Sequence, residues 1–64
     1  MIADKKKVQL AMARACMNVH DVAEKADMPI PTINNIMSGR SVKPATIGKF
    51  SKALGIDVAE ILAD

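Results

Sequence analysis

Aromatic side chains are almost missing from this chain of 64 residues: Phe50 is the one phenylalanine, and tyrosine and tryptophan do not occur. Ala, Met and Lys, all strong helix formers, recur throughout and Val, Ile and Thr do not dominate, so composition predicts an all-α chain. Cysteine is nearly absent too. Cys16 stands alone, which excludes an internal disulfide and fits a reducing cytoplasm. His20 is the only histidine and has no Cys or acidic cluster at ligand spacing, so no metal site is expected. No apolar run approaches the roughly 18 residues needed to span a bilayer. The opening Met-Ile-Ala-Asp-Lys-Lys-Lys carries no apolar stretch of the kind a secretion signal needs. A cytoplasmic chain with no membrane partner is therefore expected.

Alternating strand patterns, repeats and low-complexity tracts are also lacking, and residues 1–64 read as a single domain. A chain this short buries only about 60% of its unfolded surface, so its core must be economical. It offers no nucleophile, acid–base pair or metal cluster and little room for a cavity. Catalysis, a cofactor and a small-molecule substrate are not expected.

Acidic residues are missing from one long stretch. Between Asp27 and Asp57 there is none, while Arg40, Lys43, Lys49 and Lys52 are basic. The acids flank this region, as Asp21, Glu24 and Asp27 on one side and Asp57, Glu60 and Asp64 on the other. A net charge of +2 decides little alone. Its distribution describes either one face suited to a polyanion or an ordinary solvated surface.

What is present is punctuation for five short helices. The first spans residues 4–16, with Asp4 as a cap and Val8, Ala11, Met12 and Ala15 as an apolar stripe. Lys5, Lys6 and Lys7 occupy its first turn, where the helix dipole disfavours cations. They read as a solvated end or as an arm reaching for phosphate. Asn18 caps a second helix, Asp21 favours its dipole, and Val22, Ala23 and Ala26 form its buried face up to Asp27. Pro29 then forces a break at Met28.

The third helix begins at Pro29 and Pro31, turns Ile33, Ile36 and Met37 inward, and stops at Gly39. Arg40 to Lys43 is a polar loop. Pro44 opens a fourth helix with Ile47, Phe50, Ala53 and Leu54 on one face, closed by Gly55. A last short helix covers residues 57–62 with Val58, Ile61 and Leu62, a stripe that caps the core or meets a second copy. The five methionines read as flexible core filling.

Residues 19–36 thus read as two short helices joined by a tight turn, with small Ala23 permitting close approach at their crossing. Such a crossing projects the second helix outward, and a helix fits the major groove of DNA. From residue 8 to 62 the chain resembles the lambda-repressor-like (Cro/Xre) helix-turn-helix family. Carrying the likeness, in order, are Val22-Ala23-Glu24-Lys25-Ala26, Thr32-Ile33 with Ile36, Ser38-Gly39-Arg40, Pro44, and Lys52-Ala53-Leu54-Gly55-Ile56 followed by Glu60-Ile61-Leu62.

That resemblance implies a compact five-helix domain whose helices 2 and 3 form the helix-turn-helix. Its expected role is a non-enzymatic transcriptional regulator, a repressor of double-stranded operator DNA. It implies base contacts from Pro29, Ile30, Pro31, Asn34 and Asn35, and phosphate contacts from Asn18, Thr32, Ser38, Arg40 and Lys43. A homodimer through the last helix is also implied. The competing reading is a protein-interaction module, such as an antitoxin of the same fold.

Several positions depart from the family's habit, among them the Pro29-Ile30-Pro31 start of the third helix, which removes polar side chains that many members point at bases. Val19 stands where a polar residue, often Gln, is usual. Asp27 replaces the turn glycine, and Met12 and Met37 occupy the places of a buried Arg–Glu pair. A hydrophobic pair can replace such an ion pair without loss of stability.

Overall fold

A computed structural model describes residues 1–63; Asp64, the last of the acids named above, lies outside them. Four α-helices, α1 (Lys5–Ala15), α2 (Val19–Ala26), α3 (Ile30–Met37) and α4 (Pro44–Leu54), are followed by one 3₁₀ turn, Val58–Glu60. The expected fifth helix is therefore shorter than five residues. The Asp57 carboxylate accepts from the Ala59 N–H at 2.8 Å, and Glu60 reaches back to the Asp57 N–H at 3.0 Å. The reciprocal cap starts the turn as Asn18 and Asp21 start α2, but only three residues follow in 3₁₀ geometry.

α2 packs against both α3 and α4, while α1 leans on α3 and α4, and the 3₁₀ turn covers α4. The core contains the expected Val8, Ala11, Met12, Val22, Ala23, Ala26, Ile33, Ile36, Ile47, Phe50, Ala53, Leu54 and Ile61, and adds Ala3. Met17, Met28 and Met37 are half-buried against it, so four of the five methionines, with Met12, do fill gaps. Full burial of an Ile or Phe side chain contributes about 1.5–3 kcal/mol, and five such residues, Ile33, Ile36, Ile47, Phe50 and Ile61, are 0% exposed. The only buried polar residue among those described, Ser51, donates its hydroxyl to the Ile47 carbonyl at 2.7 Å, satisfying it within its own helix.

All four α-helices end on one device. Cys16, Asp27, Gly39 and Gly55 take φ of 56°, 55°, 80° and 72°, and they are the positive-φ residues of the described chain. The amide after each reaches back across the last turn. Met17 donates to the Met12 carbonyl at 3.0 Å, Met28 to Ala23 at 2.9 Å, Arg40 to Asn35 at 3.1 Å and Ile56 to Ser51 at 3.1 Å. This double-bonded exit satisfies carbonyls that a helix end leaves orphaned. Asp27 and Cys16 hold it without being glycine, at a cost of about 1 kcal/mol each. Cys16 is exposed there rather than packed.

Residues 1–4 do what no periodicity announced. Met1 and Val42 exchange two backbone hydrogen bonds, 2.7 Å from the Met1 amine and 2.8 Å from the Val42 N–H. The Asp4 N–H donates to the Ile61 carbonyl at 2.8 Å and the Ala63 N–H to the Ile2 carbonyl at 3.0 Å. Ala3 pairs with Leu62 in an isolated antiparallel bridge. The segment is a strap that ties the loop before α4 to the end of the chain. Lys7, expected to point outward, is half-buried and donates to the Leu62 carbonyl at 3.2 Å.

Candidate nucleic-acid interface

The two inward isoleucines of α3 decide what the helix shows outside. Ile33 and Ile36, three residues apart, are fully buried. At 100° per residue that turns Asn34, Asn35 and Pro31 outward, and all three are exposed, as is Pro29. Ile30 differs: it is half-buried and packs on the core, so only part of its side chain is on the surface. Three of the five positions expected to face bases, Pro31, Asn34 and Asn35, therefore share the open face of α3, while Pro29 is exposed at its cap. Within the described residues no hydrogen bond engages the carboxamides of Asn34 and Asn35. Each keeps two donors and an acceptor free, the set that matches N6 and N7 of adenine.

The start of α3 is poor in donors. It has no side-chain cap, Pro31 has no N–H, and the amides of Thr32 and Ile33 both turn to the Pro29 carbonyl, at 3.1 and 3.3 Å. Polar readout from this helix must come from further along, at 34 and 35. Thr32 itself is half-buried.

The starts of α2 and α4 are built in opposite ways. At α2, Asn18 Oδ1 accepts from the Asp21 N–H at 2.9 Å, and the Asp21 carboxylate accepts from the Asn18 N–H at 3.0 Å. This reciprocal cap leaves Asn18 only its amide hydrogens for a phosphate, with a carboxylate alongside. At α4, Lys43 stands at the cap position and Pro44 follows; no side chain caps the end and its first turn holds no acid. Thr46 and Ile47 donate to the Lys43 carbonyl at 3.0 and 3.1 Å. As at α3, the first amides are turned to the cap carbonyl, so what this acid-free start offers an anion is the Lys43 side chain itself.

Between α3 and α4, Ser38, Arg40 and Lys43 are all exposed. Ser38 donates its hydroxyl proton to the Asn35 carbonyl at 3.2 Å, so it meets a phosphate as a donor only by giving up that bond. Arg40 is the odd member of the helix exits. At the corresponding place after α1, α2 and α4 stand Met17, Met28 and Ile56, each resting on the core. After α3 the same place carries an exposed guanidinium. The expected phosphate positions thus concentrate on the 38–43 loop, whereas Asn18 sits on a different element and is engaged in its own cap.

Sequence reasoning missed what lies on the other side of this loop. A Cβ built on Gly39 would stand 3.7 Å from Lys5 Cε and 4.0 Å from the Ala3 carbonyl oxygen. Lys5 therefore lies along the loop, although 34 positions away in the chain. No local pattern signals that contact. Arg40 did carry a signal, since a charged residue interrupts an otherwise apolar series at the helix exits.

No helix among the described residues is long and apolar enough to cross a membrane, and those residues hold no cluster of three metal-ligating side chains. A family model described as Helix-turn-helix matches residues 17–61. No curated protein and no solved structure matches the chain.

Proposed function

We propose that this chain, which belongs to the lambda-repressor-like (Cro/C1-type) helix-turn-helix family of DNA-binding regulators, represses transcription by laying α3 in the major groove of an operator. The observation that carries this reading is the outward pair Asn34 and Asn35, with free carboxamides, on a helix followed by exposed Arg40 and Lys43. Asn34 and Asn35 read adenine edges, and Pro29, Pro31 and the exposed part of Ile30 meet thymine methyls, giving an A·T bias at those steps. Arg40 and Lys43 grip phosphate and fix the register without reading sequence. Ser38, Thr32 and the Asn18 amide contribute smaller backbone contacts. The chain works in the cytoplasm and has no catalytic role.

A homodimer through the end of the chain fits this reading. Met1 and Ile2 are 41% and 48% exposed, and with Leu62, Ala63 and Ser41 they line an apolar recess beside the 3₁₀ turn. A two-fold contact there would present two α3 helices to half-sites about 34 Å apart.

Selection of bound sequences from a random duplex pool tests the reading. Recovery of an A·T-biased near-palindrome is the expected result. Asn34→Ala and Asn35→Ala should each relax preference at one step, costing about 1–3 kcal/mol for a bidentate contact, while Lys43→Ala should weaken all duplexes alike. The donor-poor start of α3 favours a second reading, a protein-interaction module such as an antitoxin. Absence of duplex binding at low salt, together with a stable complex to a protein partner, would establish it instead.

A further inference from the structure

We propose that Lys5 is a third phosphate-gripping cation of the DNA interface, contributed by α1 and placed there by the strap of residues 1–4. The proposal rests on the DNA-binding reading above and deepens it, since neither the helix-turn-helix nor the loop after it contains this residue.

Geometry carries the assignment. Lys5 Cε lies 3.7 Å from the Cβ position of Gly39, and the ammonium is one bond further on. It therefore sits beside the backbone that immediately precedes Arg40. Gly39 has no side chain to hold the lysine away, and its φ of 80° keeps side chains out of that place. Lys5 is exposed and, among the described residues, has no carboxylate partner. Its charge is available to an external anion.

The strap explains why a residue of the first helix stays in this position. Met1 pairs with Val42 through two backbone hydrogen bonds, and Asp4 and Ile2 pair with residues 61 and 63. Asp4, which joins the strap to α1, accepts from the Lys7 N–H at 3.0 Å and so fixes the helix start. The first turn of α1 is thus clamped against the 39–43 segment. Lys5 lies beside Gly39, and exposed Arg40 and Lys43 follow in the same segment before α4. A lysine in the first turn of a helix works against the dipole. That local cost is accounted for if the charge faces a phosphate.

Lys6 provides an internal control. It is equally exposed and adjacent in sequence, so Lys6→Gln removes the same net charge from a neighbouring direction. The experiment measures affinity for a random 20-base-pair duplex across salt concentrations, for the wild type and for Lys5→Gln, Lys5→Arg, Lys6→Gln and Arg40→Gln. Each lost phosphate contact lowers the slope of log K against log salt by about 0.9. Lys5→Gln and Arg40→Gln are expected to lower it by about that amount. Lys5→Arg should keep the wild-type slope, and Lys6→Gln should leave it unchanged. If Lys5→Gln matches the wild type while Arg40→Gln falls, Lys5 is not a contact and the DNA reading stands. Equal losses from Lys5→Gln and Lys6→Gln would reduce the effect to general charge and overturn the assignment. A wild type that binds no duplex overturns both readings.

Discussion

At the end of α2 the chain turns left-handed at Asp27, and the Met28 amide reaches back 2.9 Å to the Ala23 carbonyl while its side chain rests on the core. At the end of α3 it turns the same way at Gly39, and the Arg40 amide reaches back 3.1 Å to Asn35, but the side chain stands in solvent. The backbone solution is shared and the chemistry hung on it is opposite. One exit is a joint that fixes how α3 leaves α2; the other is a bracket that holds a charge outside. The amino acid at the left-handed position differs as well. The joint tolerates an aspartate under mild strain, whereas the bracket uses glycine and leaves the space beside it to Lys5.

Four substitutions probe this contrast, followed by far-UV circular dichroism in denaturant because the chain has no Tyr or Trp. Met28→Ala should have the largest effect, a loss of about 2 kcal/mol, the low end for a Met truncation because the side chain is half-buried. A loss below a few tenths would mean that the joint does not depend on its plug. Gly39→Ala should cost about 1–2 kcal/mol through its left-handed φ alone. The new Cβ would meet Lys5 only at an ordinary contact distance of 3.7 Å.

Asp27→Gly should raise stability by about 0.5–1 kcal/mol, relieving the strain less the entropy glycine adds to the unfolded chain. A drop instead would show that the Asp27 side chain supports the turn. The smallest change in stability is expected for Arg40→Met, within about 0.5 kcal/mol as for other exposed sites. That variant makes the bracket chemically like the joint, and its signature should be a salt slope of duplex binding shallower by about 0.9. An unaltered slope would remove Arg40 from the interface.

Much of the fold could be read from residues with strong local rules. Asn18 with Asp21 fixed the start of α2, Pro44 and Gly55 framed α4, and the spacing of Ile33 and Ile36 already implied that Asn34 and Asn35 face out. These are effects of one to four residues, which local sequence carries. What escaped depends on residues far apart in the chain. Ala3 with Leu62, Met1 with Val42 and Lys5 with Gly39 pair through backbone or bare proximity, with no periodic trace. The same holds for Lys7, whose inward turn depends on a carbonyl 55 positions away. Ile30, the first residue of α3, is half-buried against the core, a degree of burial that its place at the helix start did not indicate.

The strap also divides the molecule in time. α2 and α3 can find each other across a turn of a few residues, so their crossing is cheap to close and forms from neighbours. The Ala3–Leu62 bridge must wait until nearly the whole chain has been gathered, and contacts of such separation form late and open readily. The loop that carries Arg40 and Lys43 is tethered to that late element through Val42. The outer face of α3 is therefore set early, while the loop that carries Arg40 and Lys43 acquires its final order with the last contacts made.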